Sequence, residues 1–277
     1  MVQKKIIGYS LLFPSVVGFV LFYLFPAGKT IWYSVSFGIG RREFVGLKNF
    51  KELFLNEMFI LATKNTLRFL MICIPILLVL SLVLAILMKK HYKLSQWCLV
   101  VYFFPMLMPI SAVAINIELL WGKTGIWGIM WSDTSKAFWI LCILYIWKFF
   151  GYHALIFYAK LQTIPQSYYD YAKLLGVNSW DCLRYITMPQ IMPILLLNIL
   201  FALMNAFKCY REAFLIGGNY PNESIYMIQH FLNNNFQNLD YQKISAVSVL
   251  MLIICVFCLL GAYGAVSYRR RKLCIRR

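Results

Sequence analysis

Six stretches of this chain are each long and apolar enough to cross a lipid bilayer, and that feature decides most of what it can fold into. A spanning helix needs about 20 mostly apolar residues. The stretches run from about Ile6 to Phe25, Thr66 to Met88, Trp97 to Leu120, Phe138 to Ala159, Met188 to Phe207 and Ser245 to Tyr268. Backbone that meets lipid must satisfy its own hydrogen bonds, so each stretch is read as a helix. Strands of a membrane barrel would alternate with period two, and these runs do not. The fold class expected is therefore an all-α membrane protein with six transmembrane helices. Composition agrees: the chain is 61% hydrophobic and 13% charged, against roughly 45–50% and 25% in soluble domains.

The formal charge is +17, which raises the question of nucleic acid. The charges sit at the ends of apolar runs rather than along one face. That fits the cytoplasmic excess of Lys and Arg in membrane proteins, so no nucleic-acid partner is expected. Lys4 and Lys5, then Lys89, Lys90 and Lys93, then Arg269, Arg270, Arg271, Lys272, Arg276 and Arg277 all fall on one side of a six-span layout. That side is read as the cytoplasmic face of a plasma or inner membrane, with both termini on it. Arg41, Arg42, Lys48 and Lys51 fall on the other side, accompanied by Glu43, Glu52 and Glu57. The first run is too long for a signal peptide and lacks a small-residue cleavage site, so it is read as a retained span. Cys73, Cys142 and Cys255 lie inside apolar runs, where Cys behaves as a small hydrophobe. The pair Cys255 and Cys258 has no second pair and no nearby His, and is read as packing.

Between the fourth and fifth spans lies a segment of different character, YYDYAKLLGVNSWDCLRYITMPQIMP, from Tyr168 to Pro193. Thr163 to Gln166 and Ser167 to Asp170 both have the form of a capping box. A helix is expected to about Leu175, with Gly176 in the left-handed position that ends it. Asn178 or Ser179 should cap the next helix. Tyr168, Ala172 and Leu175 share one face, with Tyr171 and Leu174 beside it, while Asp170 and Lys173 stand at ion-pair spacing. Periodicity admits two readings, a helix lying on lipid and a helix seated in a protein groove. The absence of a Lys/Arg-rich polar face speaks against the first, and the tyrosines suit the second.

The segment resembles the EAA loop of ABC-importer membrane subunits, in which E-A-A is followed by three residues, G, about nine residues, I, two residues and P. Asp170-Tyr171-Ala172 stand at the triplet, followed at matching spacing by Gly176, Ile186 and Pro189. Asp replaces Glu, Tyr replaces the first Ala, and Leu175 stands where Asp is frequent. The preceding GYHALIFYAKLQTIPQSYYD is similar to the lead-in of the sugar branch. FVGLKNFKEL (Phe44 to Leu53), NTLRF (Asn65 to Phe69) and FLIGGNYPNESIY resemble, in order, an outer loop, the start of the second span and the last outer loop of that branch. On these motifs the chain is identified as a member of the sugar-type permeases of the maltose and glycerol-phosphate kind, first-subunit-like.

The resemblance implies a type I ABC importer permease fold with a cytoplasmic coupling helix between spans four and five. Residues 166–182 would couple to the ATPase, with Tyr168, Asp170, Tyr171, Ala172, Gly176, Ile186 and Pro189 as the coupling residues. It implies an N-terminal span and outer loop over 1–60, a permease core over 61–268 and a basic tail over 269–277. The partners it implies are a second homologous permease, two ATPase subunits, an extracytoplasmic solute-binding protein and membrane lipid. The cargo would be a sugar or oligosaccharide.

The sequence has no GxxxxGKS/T loop, so ATP hydrolysis would belong to the partner subunits. No enzyme activity, cofactor or metal is expected. His91, His153 and His230 are isolated in sequence. Polar residues at membrane depth are candidates for a substrate pathway: Asn116 and Glu118 near the outer end of the third span, Asn198 and Asn205 in the fifth, and Tyr210 after it. The other reading of Asn198 and Asn205 is bonding between helices. Lys148, within the fourth span, and Lys208, Arg211 and Glu212 are read in the same two ways, pathway or anchoring. Pro75, Pro105 and Pro109 imply kinks or breaks. Two other classes would leave their own marks in the sequence. A membrane-embedded enzyme on a lipid-linked substrate would need clustered carboxylates or histidines. A secondary transporter would usually show an internal repeat. The sequence shows neither.

Overall fold

A computed structural model of the chain describes residues 12–38, 42–90, 92–121 and 136–275, with backbone alone for 92–99, 114, 117, 118, 121, 216, 258, 259, 262 and 265–275. Lys4, Lys5, Arg41, His91, Arg276 and Arg277 lie outside the described residues. The side chains of Lys93, Glu118, Cys258 and residues 269–272 lie outside them too.

The helices are α1 (Leu12–Ser34), α2 (Lys48–Phe54), α3 (Glu57–Lys90), α4 (Tyr92–Leu107), α5 (Ile110–Trp121), α6 (Ala137–Gln162), α7 (Gln166–Leu174) and α8 (Ser179–Asp181). After a π-helical stretch over Cys182–Thr187 come α9 (Met188–Lys208), α10 (Tyr210–Gly217), α11 (Ile228–Gln237) and α12 (Tyr241–Ile275). The all-α expectation needs one small correction. Strands β1 (Ser36–Phe37) and β2 (Glu43–Phe44) pair antiparallel, Ser36 opposite Phe44.

Among the described residues four helical runs are long and apolar enough to cross a membrane: Leu12–Ser34, Glu57–Lys90, Ala137–Gln162 and Ser179–Leu215. A shorter apolar helix, Tyr241–Phe257, forms the first part of α12. The expected third span is two helices, because the chain breaks at Pro109. Proline lacks the N–H that the helix ladder needs, and its ring crowds the preceding turn. Pro75 and Pro105, by contrast, sit inside α3 and α4. Helix α3 starts at Glu57, well before the apolar run begins at Thr66. Asn56 is the reason: its Oδ1 accepts the Phe59 N–H at 3.0 Å, which closes the first turn.

The chain divides into two compact units, Met1–Ile60 with Phe231–Cys258, and Leu61–His230 with Leu259–Arg277. In the first, the Asn49 amide donates to the carbonyls of Ser34 and Ser36 at 2.9 and 3.0 Å. Gly46 takes a left-handed φ of 60° just before α2, a conformation that favours glycine. The FVGLKNF motif therefore works as a clip that turns the chain between α1 and α2.

The second unit holds a core built from α3, α6 and α9, with Phe69, Leu77, Leu141, Tyr145, Phe157 and Ile191 all at most 1% exposed. In lipid, helices associate through close packing and polar bonds rather than hydrophobic expulsion. Both devices are visible. A Cβ on Gly151 of α6 would strike the backbone carbonyl of Tyr102 in α4. Tyr145 Oη donates to the Ala202 carbonyl at 2.7 Å, and Ser81 Oγ donates to the Phe150 carbonyl at 3.0 Å.

Candidate functional site

Helix α7 is a short rigid rod with a defined stop at each end. Pro165 stands at its N-cap with an extended ψ of 132° and no side-chain cap. Neither expected capping box forms. The Thr163 hydroxyl turns back to the Lys160 carbonyl at 2.8 Å, and Pro165 sets the start through its fixed φ. Asp170 takes its bond from Gln166 Nε2 at 3.3 Å rather than from Lys173. At the C-terminus Gly176 has φ 71°. Its N–H donates to Lys173 O at 3.0 Å, and the Val177 N–H donates to Ala172 O at 2.9 Å. That is the Schellman pair, which satisfies carbonyls otherwise left open. Asn178 then caps α8, its Oδ1 accepting the Asp181 N–H at 2.8 Å.

This arrangement leaves an apolar surface facing outward. Tyr171 is 67% exposed, Leu174 83% and Trp180 68%, with Tyr168 and Leu175 exposed beside them. Asp170 and Gly176 are exposed as well, whereas Ala172 is buried and Ile186 and Pro189 are half-buried. The structure thus gathers Tyr168, Asp170, Tyr171 and Gly176 on one accessible element. It puts Ala172 under it and Ile186 and Pro189 in the helix that follows. Tyr169 Oη lies 2.9 Å from Thr187 Oγ1, which ties α7 to the π-helical stretch leading into α9.

The polar residues at membrane depth are placed differently. Asn198 is fully buried on α9, its Oδ1 2.8 Å from His153 Nδ1 on α6. Asn205 is also buried on α9. Asn116 is exposed on α5 and donates to the Ala112 carbonyl of its own helix at 2.8 Å. It lines an apolar groove of about 420 Å³ together with Val113, Ile143 and Trp147. Tyr210 meets the His230 ring edge-on, 4.7 Å between centroids. The candidate pathway residues are therefore not gathered in one place. Glu118 carries a side chain outside the described set.

Sequence reasoning found Lys148 and Glu212 singly and missed that they pair. Lys148 Nζ lies 2.6 Å from Glu212 Oε1, the side chains 9% and 5% exposed. The pair joins α6 to α10. A charged group at this depth is costly unless partnered, so a lone Lys in an apolar span was itself the signal to look for a carboxylate. Two motifs also meet. The Asn65 amide donates to the carbonyls of Glu223 and Tyr226, and Thr66 Oγ1 accepts the Ile228 N–H at 3.0 Å. NTLRF is thereby pinned to the loop that carries FLIGGNYPNESIY.

The family of binding-protein-dependent transport system inner membrane components matches residues 77–272. The chain belongs to this family. It is thus a membrane-embedded transport subunit, and the matched range contains Asp170, Gly176, Ile186 and Pro189. Among similar family members, Probable ABC transporter permease protein YesP of Bacillus subtilis (strain 168) is 28% identical over 96% of this chain and 92% of that one. The sn-glycerol-3-phosphate transport system permease protein UgpA of Pectobacterium atrosepticum is 26% identical over 90% of each. The fold is similar to the crystal structure of a bacterial ABC transporter involved in the import of the acidic polysaccharide alginate. That match has a TM-score of 0.78 at 20% identity, over 96% of this chain and 97% of the other.

Proposed function

We propose that this chain is one of two permease subunits of an ATP-driven, binding-protein-dependent importer for a sugar or oligosaccharide, coupled to its ATPases through residues 166–182. The observation that carries the reading is the outward apolar face of α7, with Tyr171, Leu174 and Trp180 exposed, on a rod stopped by Pro165 and Gly176. A patch of this kind on a segment between spans marks a contact with another protein. A rod stopped at both ends and bonded to the next helix can move as a unit and pass its displacement on. ATP binding would close the ATPases, shift α7 and turn the cavity outward, and hydrolysis would reset it.

In this reading six spans are formed by α1, α3, α4 with α5, α6, α9 and α12. Both termini and α7 are cytoplasmic. A second permease completes the pathway, two ATPase subunits sit beneath α7, and a solute-binding protein delivers cargo from outside. The name of YesP supports an ABC transporter permease, and the solutes named for UgpA and the alginate transporter support a cargo that is a sugar or a related polyol compound. Sugars are held by hydrogen bonds and by stacking on aromatic faces, and Asn116 and Trp147 supply an amide and an indole to one groove. Asn198, Asn205, Tyr210 and Glu118 would complete or support the pathway in the assembled pair.

Tagged chain, co-purified in mild detergent from its host and analysed by mass spectrometry, tests this directly. A second permease and an ATPase should come along, and Tyr171→Asp with Leu174→Asp should release the ATPase alone. Those positions are exposed, so the fold should survive. Stable chain recovered without any ATPase in several detergents would overturn the assignment.

A further inference from the structure

On the side of α7 away from its exposed apolar face lies a cleft of about 540 Å³. Gln166, Tyr169 and Lys173 line it from α7, one helical face at the spacing i, i+3, i+7. Tyr168, Tyr171 and Leu175 hold the same spacing on the opposite face. Lys89 and Lys90, the last two residues of α3, close another wall. The position of Lys89 is fixed: Nζ donates to the Leu161 carbonyl at 2.9 Å and stands 4.5 Å from the centre of the Tyr169 ring. An ammonium has three donors, so others remain. The described lining contains no Asp or Glu. The ion pairs among the described residues, Lys48–Glu52, Lys148–Glu212 and Lys243–Asp240, engage none of these three lysines. Ile86, Val177 and Leu183 add apolar side chains to the lining, and Ser179 and Thr187 add hydroxyls.

Three ammonium groups without a counter-anion, sharing a cleft with apolar side chains at the end of a membrane-length helix, fit an anion that carries hydrocarbon. We propose that this cleft binds the phosphate of an anionic phospholipid, with Lys89, Lys90 and Lys173 around the headgroup and Ile86 and Leu183 against the glycerol and first methylenes. The inference needs only the fold and not the transport reading. A seated lipid braces α7 against α3 and leaves the outward face of α7 free. A soluble phosphate ester offers the same headgroup chemistry without the hydrocarbon, so the test separates the two.

Native mass spectrometry of the full chain reads the site, using equal amounts of dioleoylphosphatidylglycerol and dioleoylphosphatidylcholine in detergent. Each Lys near an anionic lipid surface is worth about fivefold in affinity. Lys90→Gln with Lys173→Gln, both exposed and outside the core, should lower phosphatidylglycerol retention by about 25-fold and leave phosphatidylcholine unchanged. Lys48→Gln with Lys51→Gln, at α2, should change neither. Equal retention of the two lipids by the unaltered chain, or the same loss in the α2 control, overturns the proposal. Displacement of phosphatidylglycerol by millimolar inorganic phosphate overturns it as well and makes the ligand a soluble phosphate.

Discussion

Two regions of this apolar chain carry polar chemistry, and they handle it in opposite ways. Helix α7 closes its own hydrogen bonds, through Gly176 and Val177 at its end and Asn178 just beyond, and then turns Tyr171 and Leu174 outward. The cluster on α6, α9 and α10 hides its polar groups and closes their bonds only across helices: Lys148 with Glu212, His153 with Asn198. The first region folds from local sequence, so its exposed apolar side chains are surplus to its own stability and available to a partner. In the second region the pairs are part of the fold. Substitutions should therefore separate the two. Losses in α7 cost partners and transport, and losses in the cluster cost stability.

The largest effect is expected at the buried ion pair. Glu212→Ala leaves Lys148 charged and unpartnered, which costs about 3–5 kcal/mol. Thermal unfolding in detergent should show a clear drop, and Lys148→Met with Glu212→Leu should recover most of it, since apolar replacements of a buried pair are often neutral. A Glu212→Ala chain as stable as the parent would break the contrast between the regions.

His230 is next. Its Nδ1 accepts the Met227 N–H at 3.1 Å, and burial pushes the imidazole from the usual 6.5 down to about 4. Above pH 6.5 the ring is neutral folded and unfolded alike, so it contributes no pH dependence there. Between about 6.5 and 4 the unfolded chain takes up a proton that the folded chain resists. Stability therefore falls with pH across that window, by up to about 3 kcal/mol, and levels off below it. His230→Phe should flatten this part of the stability–pH curve. An unchanged slope would show that His230 titrates normally.

These two sites also mark where sequence reading stops. The end of α7 was legible because a helix stop is written in adjacent residues: Gly176 for the left-handed turn, Asn178 for the next cap. The EAA-like spacing was legible for the same reason. Pairings over long separations were not, since Lys148 and Glu212 lie 64 positions apart and only packing of α6 against α10 brings them together. Local chemistry misleads where two partners compete. Thr163 looked like a cap for α7, but its hydroxyl is nearer the Lys160 carbonyl behind it. Prolines show the same limit, because Pro109 ends a helix while Pro105, four positions earlier, lies inside one.

Gly176→Val sharpens the comparison from the other side. A Cβ at Gly176 meets open space, but φ is 71°, so the cost is conformational, about 1–2 kcal/mol. That is smaller than the Glu212→Ala effect, yet uptake should be lost while membrane insertion persists. Asn visits this conformation more readily, so Gly176→Asn should keep transport. Normal uptake by Gly176→Val, with solute accumulation measured in cells, would remove the coupling role from this turn.

The smallest effect is expected at Asn198. Removing it strands His153 Nδ1, fully buried on α6, and in water-soluble cores such a loss exceeds 1 kcal/mol. In lipid the unfolded helices also find polar partners, so interhelical bonds average only about 0.6 kcal/mol and reach about 1.7 at most. Asn198→Leu alone, His153→Phe alone and the double variant form a cycle that isolates the pair from the packing each side chain also provides. A coupling near the lower figure would show that the His153–Asn198 contact orients α9 on α6 more than it stabilises it. A coupling above the upper figure would mean that the site is drier and more rigid than a lipid-facing bundle, closer to the core of a soluble domain. A coupling of zero would leave Lys148 with Glu212 as the side-chain pair that fastens the cluster, beside the Tyr145 bond to the Ala202 carbonyl, and the contrast with α7 would then rest on that pair.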